Sequence, residues 1–89
     1  MYYVYRIRSQ HHPQHSFIGT TRNVKKRLAL HNTAQVSATR EHAPWKLSFY
    51  AAFSRKQRAY DFEDYLNSPS GKEFGRKHLW NKVPDPDQP

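Results

Sequence analysis

A strand at the very start of the chain, Tyr2 to Arg8, sets the terms for the fold. It is rich in Tyr, Val and Ile and holds no breaker. Period-two alternation puts Tyr3, Tyr5 and Ile7 on one face and Val4, Arg6 and Arg8 on the other. Ser9 to His15 is polar, contains Pro13 and suits a hairpin loop. Ser16 to Thr20 then reads as the return strand, with Phe17 and Ile18 as its apolar content. Gly19 near its end allows close backbone approach.

Thr21 or Asn23 can cap a helix in which Val24, Leu28 and His31 lie along one side, ending near Asn32. Thr33 to Pro44 lacks apolar periodicity and reads as a polar loop carrying Arg40 and His42, a place where substrate-contacting groups often sit. Trp45 to Phe53 is apolar and breaker-free, which suggests a third strand in a central position. A second helix is expected from about Arg55 to Leu66, with Ala59, Phe62, Glu63 and Leu66 inward. Asn67-Ser68-Pro69 breaks it. Ser70 and Glu73 have the spacing of a capping box for a third helix, with Phe74, His78 and Leu79 on its inner side. Pro84 to Pro89 reads as disordered. The order is β-β-α-β-α-α: an α+β fold with a three-stranded antiparallel sheet flanked by helices. Residues 1–82 are expected to form one domain and 83–89 a tail.

The 89 residues carry 15 Lys and Arg against 7 Asp and Glu, a formal charge of +8. A surplus that large attracts polyanions, and nucleic acid is the expected partner, DNA before RNA. The alternative is a charged surface that serves solubility alone. No apolar run approaches the roughly 18 residues needed to cross a membrane, and the N-terminus shows no signal segment, so a soluble cytoplasmic protein is expected. With no cysteine there is neither a disulfide-linked partner nor a thiolate metal site.

Four residues carry candidate chemistry. Arg27 and His31 are four apart and project from the same helix face. Arginine's fork of donors suits phosphate oxygens and can offset charge growing in a phosphodiester transition state. His31 can accept a proton, or can simply complement the dipole at a helix end; both readings stay open. Tyr5 is either a packing aromatic or a base. As a base its pKa must fall from about 10, and Arg27 and a bound metal would push it down. Glu63, on an inward helix face, needs a salt bridge or a metal, and a lone carboxylate with waters suits magnesium. Arg22, Lys25 and Lys26 add charge near the first helix. His11, His12 and His15 cluster in the first loop without the spacing of a zinc site.

Taken in order, these segments resemble the GIY-YIG nuclease domain family. Tyr3-Val4-Tyr5 stands at the first motif and Phe17-Ile18-Gly19 at the second. Thr20 to Leu28 resembles the stretch leading to the family's helix arginine, His31-Asn32 its helix-end pair, Pro44-Trp45-Lys46-Leu47 its third-strand opening, and Glu63 within Phe62-Glu63-Asp64-Tyr65-Leu66 its metal-binding glutamate. The form is similar to small stand-alone bacterial members related to the nuclease domain of the nucleotide-excision-repair protein UvrC. The resemblance implies an endonuclease using one Mg²⁺ or Mn²⁺. Tyr5 would deprotonate the attacking water directly or through His31, Arg27 would bind the phosphate, and Glu63 would hold the metal. Two positions depart from the pattern. Phe17 stands where the family usually has tyrosine, and Thr20 where many members carry lysine. These departures keep two alternatives open: a nucleic-acid-binding module that has lost catalysis, and a protein-interaction adaptor.

Overall fold

The computed structural model describes residues 1–80; the expected tail lies outside the described residues. Strands β1 (Tyr2–Ser9), β2 (Ser16–Thr21) and β3 (Trp45–Phe53) form one antiparallel sheet. Helix α1 (Val24–Asn32) follows β2, and α2 (Lys56–Asn67) and α3 (Pro69–His78) follow β3. The expected β-β-α-β-α-α order is therefore the observed one.

The strand order is β2-β1-β3, so β3 is an edge and β1 the centre. This corrects the expectation that Trp45–Phe53 is central. The reason lies in which side chains two layers can cover. Val4 on one face of β1 and Tyr5 and Ile7 on the other are all buried, whereas Lys46, Tyr50 and Ala52 leave β3 half-solvated. Val4 packs with Ala59 and Leu66 of α2, and Ile18, Phe49, Phe53 and Phe62 surround them. Tyr5 and Ile7 pack with Trp45 under Phe17, Val24 and Leu28. One strand thus feeds two small cores, and each such buried apolar side chain contributes about 2 kcal/mol.

The register between β1 and β3 slips between Arg6 and Ile7, leaving Ser48 as the extra residue of a bulge. Ser48 Oγ donates to the Arg6 carbonyl at 3.1 Å and accepts from Arg6 Nη1 at 3.0 Å, which satisfies groups the bulge would otherwise orphan.

Asn23 rather than Thr21 caps α1, its Oδ1 accepting from the Lys26 amide at 3.0 Å. The third helix begins differently from its expected start. Ser68, not Ser70, is the cap: its Oγ accepts from the Gly71 amide at 3.1 Å, and Pro69 occupies the first turn. The local physics explains this. Proline has no amide hydrogen, so it ends α2, holds Ser68 extended and presets the backbone of the next helix. The inner side of α3 is also different. Gly71 and Gly75 are buried, while Phe74 and His78 are exposed. Glycines face inward because the chain comes too close for a side chain: a Cβ on Gly71 would meet the Tyr65 carbonyl, and one on Gly75 the Trp80 ring.

Candidate active site

Tyr5 and Gly19 sit opposite one another in the β1–β2 register, and Ile7 opposes Phe17. The face they share is the one α1 covers. His31, in the last turn of α1, reaches down to it and is fully buried. The Tyr5 hydroxyl lies 2.7 Å from His31 Nε2, and His31 Nδ1 lies 2.7 Å from Thr39 Oγ1. Thr39 is buried in the segment between α1 and β3, and its Oγ1 can pass a hydrogen bond on to the Val36 carbonyl at 3.4 Å. These contacts fix a consistent tautomer. Thr39 donates to Val36 and accepts from His31 Nδ1–H, which leaves Nε2 to accept from the Tyr5 hydroxyl.

Close approach at Gly19 permits this arrangement. A Cβ there would lie 2.8 Å from the Tyr5 hydroxyl oxygen and 3.0 Å from the Phe17 ring. Gly19→Ala is therefore expected to displace the hydroxyl from His31 and to cost about 1–3 kcal/mol of stability. Chemical denaturation measures that loss, and retention of wild-type stability would show that the ring has room to give.

Arg27 is half-buried one helical turn before His31 and lies beside the Tyr5 hydroxyl. Glu63 belongs to α2, on the other side of the sheet, yet its charge is felt at Tyr5. The Thr20 hydroxyl donates to Glu63 Oε1 at 2.5 Å. Thr20 thus holds the carboxylate at the margin of the sheet. Tyr5, Arg27 and His31 lie together on the α1 side of the sheet, while Glu63, held by Thr20, is linked to them only through its charge at Tyr5.

The electrostatics differ from expectation in one respect. Burial raises the Tyr5 pKa above its ordinary value of 10.0; Arg27 pulls it down, and Glu63 pushes it up. The net direction is upward, so the phenol stays protonated. Burial, with Arg27 behind it, lowers the His31 pKa below 6.5 and keeps the imidazole neutral. The proton acceptor in this pair is the histidine.

The remaining site positions divide. Arg22, Lys26 and Arg27 line a shallow groove of about 230 Å³ beside α1. Arg22 also lies over the Tyr2 ring, 5.2 Å from its centroid, and lines a second groove of about 270 Å³ with Thr20 and Lys56. Lys25 is exposed on α1. Arg40 is exposed in a short 3-10 helix, Arg40–His42. His42 turns away from the site, stacking on His15 at 3.9 Å with His12 nearby. Among the described residues, no three His, Cys, Asp or Glu side chains form a metal cluster, these histidines included.

Sequence reasoning missed Thr39, and a lone threonine in a polar stretch gave no signal for it. Asn32 was noticed only for its likeness to a motif. Its side chain brackets the start of β3, accepting from the Trp45 amide and donating to the Trp45 carbonyl.

The model of the GIY-YIG catalytic domain matches residues 1–77 of the 89. The chain belongs to the GIY-YIG family. GIY-YIG domains are nucleases, generally endonucleases that depend on a metal, so a nucleic acid is the substrate. No curated protein matches the chain at a significant level. No helix among the described residues of this GIY-YIG domain is long and apolar enough to cross a membrane.

Proposed function

We propose that the protein hydrolyses phosphodiester bonds in DNA with one Mg²⁺ or Mn²⁺, selects its substrate by strand structure and serves DNA repair in the bacterial cytoplasm. The observation that carries this reading is the Tyr5–His31 contact with Arg27 beside it and Glu63 in electrostatic range. The donor set fits the ion: a single carboxylate held by a hydroxyl suits a hard cation that keeps most of its waters. Glu63 would hold it, and when bound it would supply charge stabilisation to the phosphodiester oxygens.

The residues of the chain account for the rest. Arg27 binds and orients the scissile phosphate and stabilises its growing charge. Tyr5 takes a proton from the attacking water as it passes its own to His31 Nε2. Thr39, bonded to Nδ1, holds the ring in the tautomer this transfer needs. The relay removes the need for a free tyrosinate, which burial opposes.

A pH dependence follows. Cleavage requires neutral His31, so its rate falls as pH drops through a value below 6.5. The raised Tyr5 pKa leaves no alkaline fall below about pH 10 from that group. Stability has the same sign. The unfolded chain binds a proton at about 6.5 and the folded chain only at lower pH, so His31 lowers stability as pH falls below 6.5. Melts of the wild type and His31→Gln between pH 5 and pH 8 measure this. Equal pH slopes would rule out the buried neutral imidazole.

One observation favours a second reading, a binding module with weakened catalysis. Phe17 faces His31, ring centroids 5.3 Å apart, without a hydroxyl to place there. Nicked, branched and single-stranded DNA incubated with Mg²⁺ or Mn²⁺ separates the two. Metal-dependent cleavage that Arg27→Ala abolishes supports the nuclease. Salt-sensitive binding with no cleavage supports the binding module.

A further inference from the structure

A cavity of about 560 Å³ opens on the face of the sheet opposite Tyr5. Arg6, Lys72, Arg76, Asn67 and Trp80 line it, and none of Tyr5, Arg27, His31 or Glu63 does. Lys72 and Arg76 are four apart on α3 and therefore share a side of that helix. Arg6 comes from the central strand. Its guanidinium lies 4.5 Å from the centroid of the Trp80 ring, which the bare face of Gly75 admits. Its one side-chain hydrogen bond among the described residues goes to the Ser48 hydroxyl. The only ion pairs among those residues involve Glu73, which takes Arg76 and Lys77. Among the described residues Arg6 is thus half-buried against a hydroxyl and an aromatic face, with no carboxylate in contact. Burial and the neighbouring Arg8 draw its pKa down to about 10, the mark of a cation short of negative charge. Such a group is costly unless an anion completes it.

The cavity joins the catalytic face at one residue. Phe17 of β2 lines the cavity and also packs against His31 and Tyr5. β2 is an edge strand with no neighbour on its outer side within the sheet. A flexible chain can pass round that edge from one face to the other, whereas a stiff duplex cannot.

We propose that this cavity is a second phosphate subsite, in which Arg6, Lys72 and Arg76 grip the backbone of a single-stranded nucleic acid a few nucleotides from the bond to be cut. The inference rests on the nucleic-acid reading above and adds a direction to it: the strand wraps the free edge of β2. The preferred substrate is then a duplex carrying a single-stranded flap or gap. The cavity walls provide cationic contacts and an aromatic side chain, the combination that binds single strands without sequence preference.

The test is fluorescence anisotropy with a labelled oligothymidylate of about 15 nucleotides and a duplex of equal length. No divalent ion is added, so cleavage cannot deplete the probe. Lys72→Ala/Arg76→Ala changes two exposed side chains on α3 and leaves Arg6 in place. It is expected to weaken single-strand binding about tenfold and to lower the salt slope by about 1.4, the value for two lost phosphate contacts. Lys46→Ala/Arg58→Ala removes the same charge elsewhere and should cost less than half as much in log affinity. Trp45 is buried, so quenching of tryptophan emission on binding reports Trp80.

Single-strand affinity in the α3 variant equal to that of the control pair, with unquenched emission, overturns the subsite. If metal-dependent cleavage persists in that case, the nuclease reading stands without it. Binding that needs Lys72 and Arg76 but is never followed by cleavage supports the subsite and defeats the catalytic reading. Failure of the wild type to bind either probe at low salt overturns both.

Discussion

Glu63→Gln is expected to lower metal-dependent cleavage by about 10³-fold, close to 4 kcal/mol of transition-state stabilisation. The change removes the charge and keeps the shape. It leaves an amide oxygen for the Thr20 hydroxyl, so the fold should change little. Glu63 is only partly buried and lies outside the fully buried core. Single-turnover cleavage across a Mg²⁺ and Mn²⁺ titration, alongside a thermal melt, measures both quantities. Cleavage within tenfold of wild type at saturating metal would remove Glu63 from the reaction. The effect on binding without metal should be small and of the opposite sign, because a negative charge has left a surface that meets phosphates.

The largest stability effect is expected at Gly71. The Cβ of alanine there would collide with the Tyr65 carbonyl and approach the Leu66 Cα. Those atoms are backbone, and Leu66 is fully buried, so nothing can rotate aside. Gly71→Ala should cost at least about 3 kcal/mol. For a domain of this size that is a fall in melting temperature of roughly 12–24 °C. Gly75→Ala is the informative contrast, because the atoms nearest its Cβ belong to the Trp80 ring, a side chain that can swing away. Circular-dichroism melts of the two variants settle the matter. Equal losses would mean that α2 and α3 part as easily as a ring turns.

Much of this was legible in the sequence because it depends on local rules. Alternation in Tyr2–Arg8, the Pro-bearing loop and helical spacing at Ala59, Phe62 and Leu66 each act within a few residues, and each element formed where they indicated. Strand order was misread because it depends on which strand two layers bury. An apolar run such as Trp45–Phe53 looks the same at an edge under one layer as in the middle under two. The third helix was misread at its cap and inner face, because serines two residues apart compete and only Pro69 decides between them. At the site, Tyr5, Arg27, His31 and Glu63 stood out by residue type and order. Thr39 did not, since its role exists only once the loop folds back over His31. The direction of the Tyr5 pKa was also hidden: neighbouring charge can be guessed from a sequence, whereas the larger effect of burial requires the packed structure.

The bulge at Ser48 has a consequence for how the molecule can vary. Ser48 is the unpaired residue, so Leu47 opposite Ile7 belongs to the Tyr5 layer while Phe49 opposite Arg6 belongs to the Val4 layer. Straightening the strand so that Ser48 paired with Arg6 would carry Phe49 and every residue after it to the other face. Removal of Ser48 itself is therefore expected to leave both layers filled by a regular ladder and to cost chiefly its two hydrogen bonds with Arg6. The division of Leu47 and Phe49 between the two layers, rather than the extra residue, is what natural variants of this strand must keep.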